Sequence, residues 1–441
     1  MSFTPYRDVL PSGLRVVTIE TPHLHTALLA VYVRTGSRHE TPANNGVSHF
    51  LEHLFFRGSE GWPDSVKMNA AVEEVGGNLN GVTGRDLGYY YTPLHPAYLG
   101  VGMEILGDML TRPRLTDMEV ERQIILEEML DEVDEKGRDI DLDNLSKRLL
   151  FGEHPLALKI AGTRESVSAL KHTQVLEHFA RHYVAGNLVL TASGRVKHAQ
   201  VLELAERAFA HLPKGPETTE APPPPTPPGP RFHFVAHEES QTEFRINLRV
   251  VPEQHDDYPA LQIIRRVLDD GLSSRLPFEI VEKRGLAYSI SAGLDSFHDT
   301  GVLEIDAASA PEKASRVVEE VLRVLATLCA EEIPEEELKR TQRRHRMLLE
   351  FSEDSPGELA GWFGGTELFR KPESFNQRAD LVDAETAAHV REVARRYFTR
   401  ENLTVVAVGQ RKGIKALERV VETAEGLPSA GRKAVSGRRA G

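Results

Sequence analysis

The sequence predicts an α+β protein made of two homologous, duplicated domains, each a mainly antiparallel sheet packed with helices. Three observations predict it. Strand-like runs come in neighbouring pairs while helical patterns come in long blocks, which favours α+β over a doubly wound sheet. A proline-rich stretch divides the chain near its middle. The segments on either side of it echo each other at one fixed spacing.

At 441 residues the chain is too long for one ordinary core. Residues 213–230 contain Pro-Pro-Pro-Pro-Thr-Pro-Pro-Gly-Pro, which reads as a stiff, extended linker. The division is therefore 1–212 for the first domain, 213–230 for the linker, 231–428 for the second domain and 429–441 for a basic tail. Gly186-Asn-Leu-Val-Leu-Thr-Ala-Ser-Gly194 matches Glu401-Asn-Leu-Thr-Val-Val-Ala-Val-Gly409. Arg181, Asn187, Gly194 and Pro213 map to Arg396, Asn402, Gly409 and Pro428, all at an offset of 215. One offset held over this span indicates duplication.

Taken in order, Leu14 to Ile19 and Thr26 to Arg34 read as strands, rich in β-branched and apolar residues. Val47 to Phe56 reads as a helix buried nearly all round, introduced by Asn44-Asn45-Gly46 and ended by Gly58. Gly76-Gly77-Asn78-Leu79-Asn80-Gly81-Val82-Thr83 has the glycines of a tight turn followed by a strand. Pro96 to Thr111 and Glu121 to Glu135 are helical, as are Val196 to His211 and Pro311 to Ala330. Leu188 to Ala192, Phe244 to Val251 and Leu403 to Val408 complete the strands.

The chemistry concentrates at His49-Phe-Leu-Glu52-His53, an H-x-x-E-H pattern. On a helix, His49 and His53 lie four apart on one face, so two imidazoles can grip one Zn²⁺ from the same side. Glu52 lies between them, placed to move a proton of a water molecule. A metal that acidifies water and a carboxylate that shuttles its proton are what peptide hydrolysis at neutral pH needs. Histidines and a glutamate in so apolar a helix are costly unless something pairs with them. The pattern H-x-x-E-H is absent from the second half, which reads as a partner wall rather than a second metal site.

A catalytic zinc site has three protein ligands and an open position. The stretch Glu121 to Glu135 offers the third, with Glu121 and Glu128 seven apart on one face. One can ligate while the other orients the ligand shell from behind. Spacing alone does not choose between Glu127 and Glu128.

Composition excludes several classes. A net charge of −13 argues against nucleic-acid binding, which needs clustered Lys and Arg. The tail is basic, with Arg432, Lys433, Arg438 and Arg439. No apolar run approaches the ~18 residues of a membrane span. The first residues lack a signal-peptide apolar region. The single cysteine, Cys329, forbids an internal disulfide and reads as a small buried hydrophobe. A cytoplasmic protein fits these features.

The whole pattern resembles the M16 metallopeptidases, inverzincins that include pitrilysin and mitochondrial processing peptidase, and most of all the smaller M16B type. The resemblance rests on Gly36-Ser-Arg-His-Glu40, on Gly46 through Gly58, on Gly76-Gly-Asn-Leu-Asn80, on Glu121 through Glu128, and on His154-Pro-Leu through Gly162-Thr. It implies the processing-peptidase-like metallohydrolase fold, two domains facing each other across an enclosed chamber. It implies Glu128 as the third zinc ligand, Glu121 as the supporting glutamate and Glu52 as the general base. It implies a substrate peptide that pairs with the strand carrying Asn78, Asn80, Gly81 and Val82. Gly81 stands where the family usually has alanine, which is expected to loosen the strand.

One part of the resemblance is broken. The family stabilises the substrate carbonyl oxygen with an Arg and a Tyr from the second domain. Here Val281-Glu-Lys-Arg284-Gly-Leu-Ala-Tyr288-Ser keeps Tyr288 but has Val281 in place of the first Arg. Arg275 or Arg284 are the candidates to replace it. The resemblance thus implies a zinc endopeptidase in one of two forms. Either it is the metal-bearing subunit of a heterodimer whose homologous partner supplies the Arg/Tyr pair, or it is a self-sufficient, self-associating enzyme. A non-catalytic scaffold subunit is the reading from another class.

Overall fold

Eleven strands fall into two sheets in the computed structural model, which describes residues 4–429. The first sheet has the order β1-β2-β6-β3-β5-β4. Its strands are β1 (Tyr6–Val9), β2 (Arg15–Glu20), β3 (Ala27–Val33), β4 (Asn80–Thr83), β5 (Gly88–Leu94) and β6 (Leu188–Gly194). The second has the order β7-β11-β8-β10-β9, from β7 (Arg231–Ala236), β8 (Thr242–Val250), β9 (Ser289–Ser296), β10 (Gly301–Ser309) and β11 (Leu403–Gly409). Each sheet has one parallel pair, β2 with β6 and β7 with β11, and is otherwise antiparallel. The run β2-β6-β3-β5-β4 therefore has the topology of β7-β11-β8-β10-β9.

The 215-residue offset is visible in single bonds. β6 and β11 begin and end at that offset, and so do the helices His172–His182 and Ala387–Tyr397. The Asn187 side-chain amide donates to the carbonyls of Arg34 and His182, each at 2.8 Å. The Asn402 amide donates to those of Arg249 and Tyr397, at 2.8 and 2.7 Å. Both partners shift by the same offset. Each asparagine thereby ties the start of its strand to a preceding helix and a neighbouring strand.

Each sheet packs its main core on one face. In the first unit this core joins Val31, Val33, Phe50, Leu54, Tyr90 and Leu106. In the second it joins Phe244, Ile246, Leu261, Ile264, Leu303 and Val321. Fully burying one such side chain contributes roughly 1.5–3 kcal/mol. The opposite faces are covered too. The helix Pro356–Leu368 brings Leu359, Ala360 and Phe363 onto Val17, Leu28 and Tyr32 of the first sheet. Leu145 of the helix Leu142–Phe151 packs on Val235, Val406 and Val408 of the second. This is why β3, β6 and β11 are buried at every position rather than at alternate ones.

The compact units do not follow the linear order of the chain. The first contains the residues up to Asp139, then Phe151–Pro223 and Arg344–Asp380; the second contains Ile140–Leu150, Pro224–Arg343 and the residues from Leu381 on. The two halves exchange a segment each. Nor is the proline-rich stretch a bare spacer. The Glu220 side chain is buried against Arg34, whose Nε donates to it at 2.6 Å. The backbone N–H of Thr218 donates to Asn187 Oδ1 at 3.0 Å. Residues 213–223 belong to the first unit as a strap. The basic tail residues Arg432, Lys433, Arg438 and Arg439 lie outside the described residues.

Candidate metal centre

The helix Val47–Phe55 starts at Gly46, whose φ of 93° is left-handed and whose missing Cβ leaves room for the Ala161 carbonyl. Its open N–H groups meet a buried carboxylate. Glu40 accepts from the backbone of Gly46 at 2.7 Å and of Ser48 at 2.8 Å, and from the Asn45 side chain at 2.8 Å. A negative group at a helix N-terminus satisfies both orphan donors and dipole. Burial raises the Glu40 carboxyl above its ordinary range, and these hydrogen bonds oppose the rise.

The helix is not buried all round. Val47, Phe50, Leu51, Leu54 and Phe55 face the core, whereas His49, Glu52, His53 and Phe56 are half-buried on a more open side. The second carboxylate source is the helix Met118–Glu128, which gives way to a 3₁₀ turn, Met129–Glu132, short of the helix end expected at Glu135. Glu128 is its last α-helical residue.

These elements bring the ligand set together. The ligand atoms of His49, His53 and Glu128 all lie within 4.8 Å of one another. A Glu128 carboxylate oxygen is 3.4 Å from His53 Nε2 and 3.9 Å from His49 Nε2. His53 Nδ1 faces Glu121 Oε2 at 2.8 Å. A carboxylate accepts, so Nδ1 is the nitrogen that donates to Glu121, and Nε2 is the one turned toward the Glu128 oxygen. Burial and the neighbouring His53 hold His49 at a pKa of about 4, so His49 is neutral at pH 7. Two imidazole nitrogens and a carboxylate oxygen converging on one point form an arrangement a cation satisfies, and N,N,O ligands suit zinc. The residues present can hold the metal.

Glu121, only 4% exposed, is fixed from both sides, by His53 and by the Arg57 guanidinium. Glu127 is exposed and is not part of the ligand group. Glu52 lies over β4. The Thr83 hydroxyl donates to Glu52 Oε2, and burial raises the Glu52 carboxyl above its ordinary range while Thr83 and His53 oppose the rise. Gly81 has a tighter role than loosening the strand: a Cβ there would stand 3.0 Å from Glu52 Cγ and Oε1 and from Phe56. Its bareness makes room for the carboxylate.

β4 is the edge of its sheet, paired only with β5. Asn78, expected on the strand, lies before its start and donates from Nδ2 to Asn80 Oδ1 at 3.2 Å, and Val82 is exposed. Tyr288 belongs to the second unit, where it is 86% exposed. Val281 packs against that unit's core. The two candidate replacements for the missing Arg are engaged within the same unit. Arg275 forms a two-pronged pair with Glu337 at 3.1 and 2.6 Å, and Arg284 pairs with Glu279 and Glu320. Sequence reasoning did not find Glu40, Arg57 or Thr83 as supports of the site. Glu40 and the glycine–threonine spacing of β4 were visible, but no local pattern says which helix they touch.

Comparison with known proteins gives one family. A family model described as insulinase (peptidase family M16) matches residues 15–164, and one described as peptidase M16 inactive domain matches residues 169–344. An uncharacterized zinc protease of Mycobacterium tuberculosis is 32% identical over 410 residues, spanning 90% of this chain and 92% of its own. The mitochondrial-processing peptidase subunit beta of Blastocladiella emersonii is 30% identical over 433 residues, spanning 91% and 87%. A protease from Helicobacter pylori has a similar structure, with a TM-score of 0.84 at 21% identity over 93% of this chain and 100% of that one. A peptidase M16 inactive domain from Pseudomonas fluorescens gives 0.84 at 20% identity, over 92% and 98%. The structural matches speak for the fold alone.

Proposed function

The chain belongs to the M16 (insulinase) family of peptidases, and from that premise we propose that it is a zinc-dependent endopeptidase acting on peptides or unfolded segments. The observation that carries the reading is the convergence of His49, His53 and Glu128 beside the carboxylate of Glu52.

In this reading His49, His53 and Glu128 hold Zn²⁺, which when bound acidifies water and polarises a peptide carbonyl. Glu52 takes a proton from the attacking water and delivers it to the leaving amine as the C–N bond breaks. The Thr83 hydroxyl fixes one oxygen of Glu52 and leaves the other free for that work. Glu121 keeps the His53 tautomer that presents Nε2. The free edge of β4 pairs with an extended peptide along Asn80, Gly81 and Val82. Such main-chain pairing binds with little sequence selectivity.

Tyr288 is the candidate donor to the substrate carbonyl oxygen. With Val281 in the core and both Arg275 and Arg284 in ion pairs, a homologous partner subunit that supplies the Arg/Tyr pair is the favoured arrangement, and Tyr288 serves in the self-sufficient one. Losing one such donor commonly costs ~10²–10³ in rate. A self-sufficient homodimer is the alternative. The description "inactive domain" falls on residues 169–344, the part without H-x-x-E-H, and so does not favour a non-catalytic reading of the first unit.

The test is Glu52→Gln. It is expected to keep stoichiometric zinc, read by metal analysis, and to lose ~10²–10⁴ in peptide cleavage. Wild-type cleavage by Glu52→Gln, or purified wild-type protein that takes up no zinc, overturns the mechanism. Assay of the single chain with and without a homologous chain carrying R-x-x-x-G-L-x-Y decides between the two assemblies.

A further inference from the structure

A groove of about 650 Å³ lies in the first unit, away from the metal ligands, between the sheet and the helix Pro356–Leu368. Its walls are Tyr32 of β3, Tyr89 and Tyr91 of β5, and Trp362 and Phe375. The rings are set against one another. Tyr32 and Tyr89 stack at 5.4 Å between centroids, and Trp362 and Phe375 approach to 4.7 Å. The Trp362 ring is held by Nε1 donating to the Glu373 carbonyl at 2.6 Å.

Two features say the groove is kept open rather than left unfilled. Gly361 and Gly365 lie four apart on the helix face that lines it. A glycine inside a helix costs roughly 0.5–1 kcal/mol relative to alanine. Packing does not require it at either position: a Cβ at 361 would meet only the Tyr32 hydroxyl at 3.8 Å, and at 365 nothing within 4 Å. Gly364, in contrast, is needed, because its Cβ would be 2.3 Å from the Tyr32 ring. The second feature is the Tyr32 hydroxyl. Tyr32 is 6% exposed and lines the groove, yet its hydroxyl has no hydrogen-bond partner among the described residues. A hydroxyl that opens onto the groove without a protein partner is one a ligand can engage.

The groove lies on a sheet face that the edge strand shares. Asn80 pairs with Tyr91 and Val82 with Tyr89, so these four side chains share one face of the sheet, while Gly81 and Tyr90 share the other with Glu52. The sole charged residue in the lining is Glu358, which is exposed, and none is basic. That charge disfavours a fatty acid or other anionic amphiphile.

We propose that this groove is an anchoring subsite for an aromatic or large aliphatic residue of the peptide substrate, preferably beside a basic residue. The proposal rests on the peptidase reading. Strands lie ~4.8 Å apart, so a peptide on the β4 edge is roughly 14 Å from β3. At ~3.3 Å per residue, the anchor lies about three to five residues from the scissile bond. The apolar ring enters between Tyr89 and Trp362, and a main-chain carbonyl of the same peptide accepts from Tyr32.

The chain has two tryptophans, so Trp362 can be made the sole one by Trp62→Phe. In the Glu52→Gln, Trp62→Phe protein, a decapeptide containing Phe-Lys is titrated against its Ser-Lys counterpart while Trp362 emission is read. The expected result is a saturable change for the Phe peptide, with at least tenfold weaker binding for the Ser peptide. Gly365→Leu, or Gly361→Leu where that variant does not fold, is expected to weaken the Phe peptide tenfold with unchanged circular dichroism. In the protein with Glu52 intact, the same change is expected to raise KM for the Phe peptide and leave kcat unchanged. Equal affinities for the two peptides, or a neutral alkyl detergent that shifts Trp362 when the Phe peptide does not, overturns the subsite. Because binding is read without cleavage, the subsite survives a failure of the peptidase reading. Cleavage with no Trp362 response overturns the subsite alone.

Discussion

The first α-helix after β3 and the first after β8 occupy the same topological place and do opposite things. Val47–Phe55 carries His49, Glu52 and His53 on its more open side. Tyr258–Leu268 has no histidine or carboxylate and buries Leu261, Ile263, Ile264, Val267 and Leu268 in the second core. The difference teaches that the scaffold does not need the polar set. On its open side the first helix carries histidines and a carboxylate where the second carries Gln262, Arg265 and Arg266, and a dedicated surround holds the first set. Glu40 sits on the helix start, Glu121 and Arg57 back His53, and Thr83 holds Glu52. The second helix has no histidine or carboxylate to support, and its polar side chains bond outward, Arg265 to the Ala292 carbonyl and Arg266 to Asp270.

The sharpest way to break this comparison is to truncate each helix at its characteristic residue. Ile264→Ala is expected to destabilise the second unit by about 2–5 kcal/mol, read by denaturant unfolding. His49→Ala is expected to change metal-free stability by less than ~1 kcal/mol while abolishing stoichiometric zinc. Equal losses of stability would mean the histidine is as much a core residue as the isoleucine. A smaller effect sharpens the role of the surround. Glu121→Gln is expected to weaken zinc about 10–100-fold in competition with a chelator, the usual effect of losing a carboxylate behind a metal-bound histidine. Unchanged affinity would reduce Glu121 to a partner for Arg57. The smallest effects test where the units are alike. Asn187→Ala and Asn402→Ala each strand two carbonyls and are expected to cost about 1–2 kcal/mol apiece. A clear inequality in thermal unfolding would show that the duplicated bonds no longer have equivalent weight.

How much of this was legible in the sequence varies with the range of the interaction. The H-x-x-E-H helix and the 215-residue repeat were readable because each is written in local pattern, and Asn187 and Asn402 hold corresponding bonds. The choice of Glu128 over Glu127 came from family likeness, since both lie on one helix and only the fold says which faces His53. Thr83 and Glu40 were beyond local reading: their importance lies in contacts with a helix that periodicity cannot orient. The strap was misjudged for a related reason. Prolines predict a stiff, extended segment, but Glu220 meets Arg34 and His39 with a geometry no composition encodes. Periodicity likewise predicts a helix, but not which sheet it will cover.

The exchanged helices have a consequence for how the chain is made. The last strand of the first sheet ends at Gly194, but the helix that covers Val17, Leu28 and Tyr32 ends at Leu368. At ribosomal speeds of ~5–20 residues per second, the intervening stretch takes about 10–30 s to emerge. Throughout that interval the nascent first unit has its metal-bearing side complete and an apolar sheet face bare. Hold-type chaperones are expected to engage this chain during that window, and a gene severed at the proline-rich segment would make the window permanent.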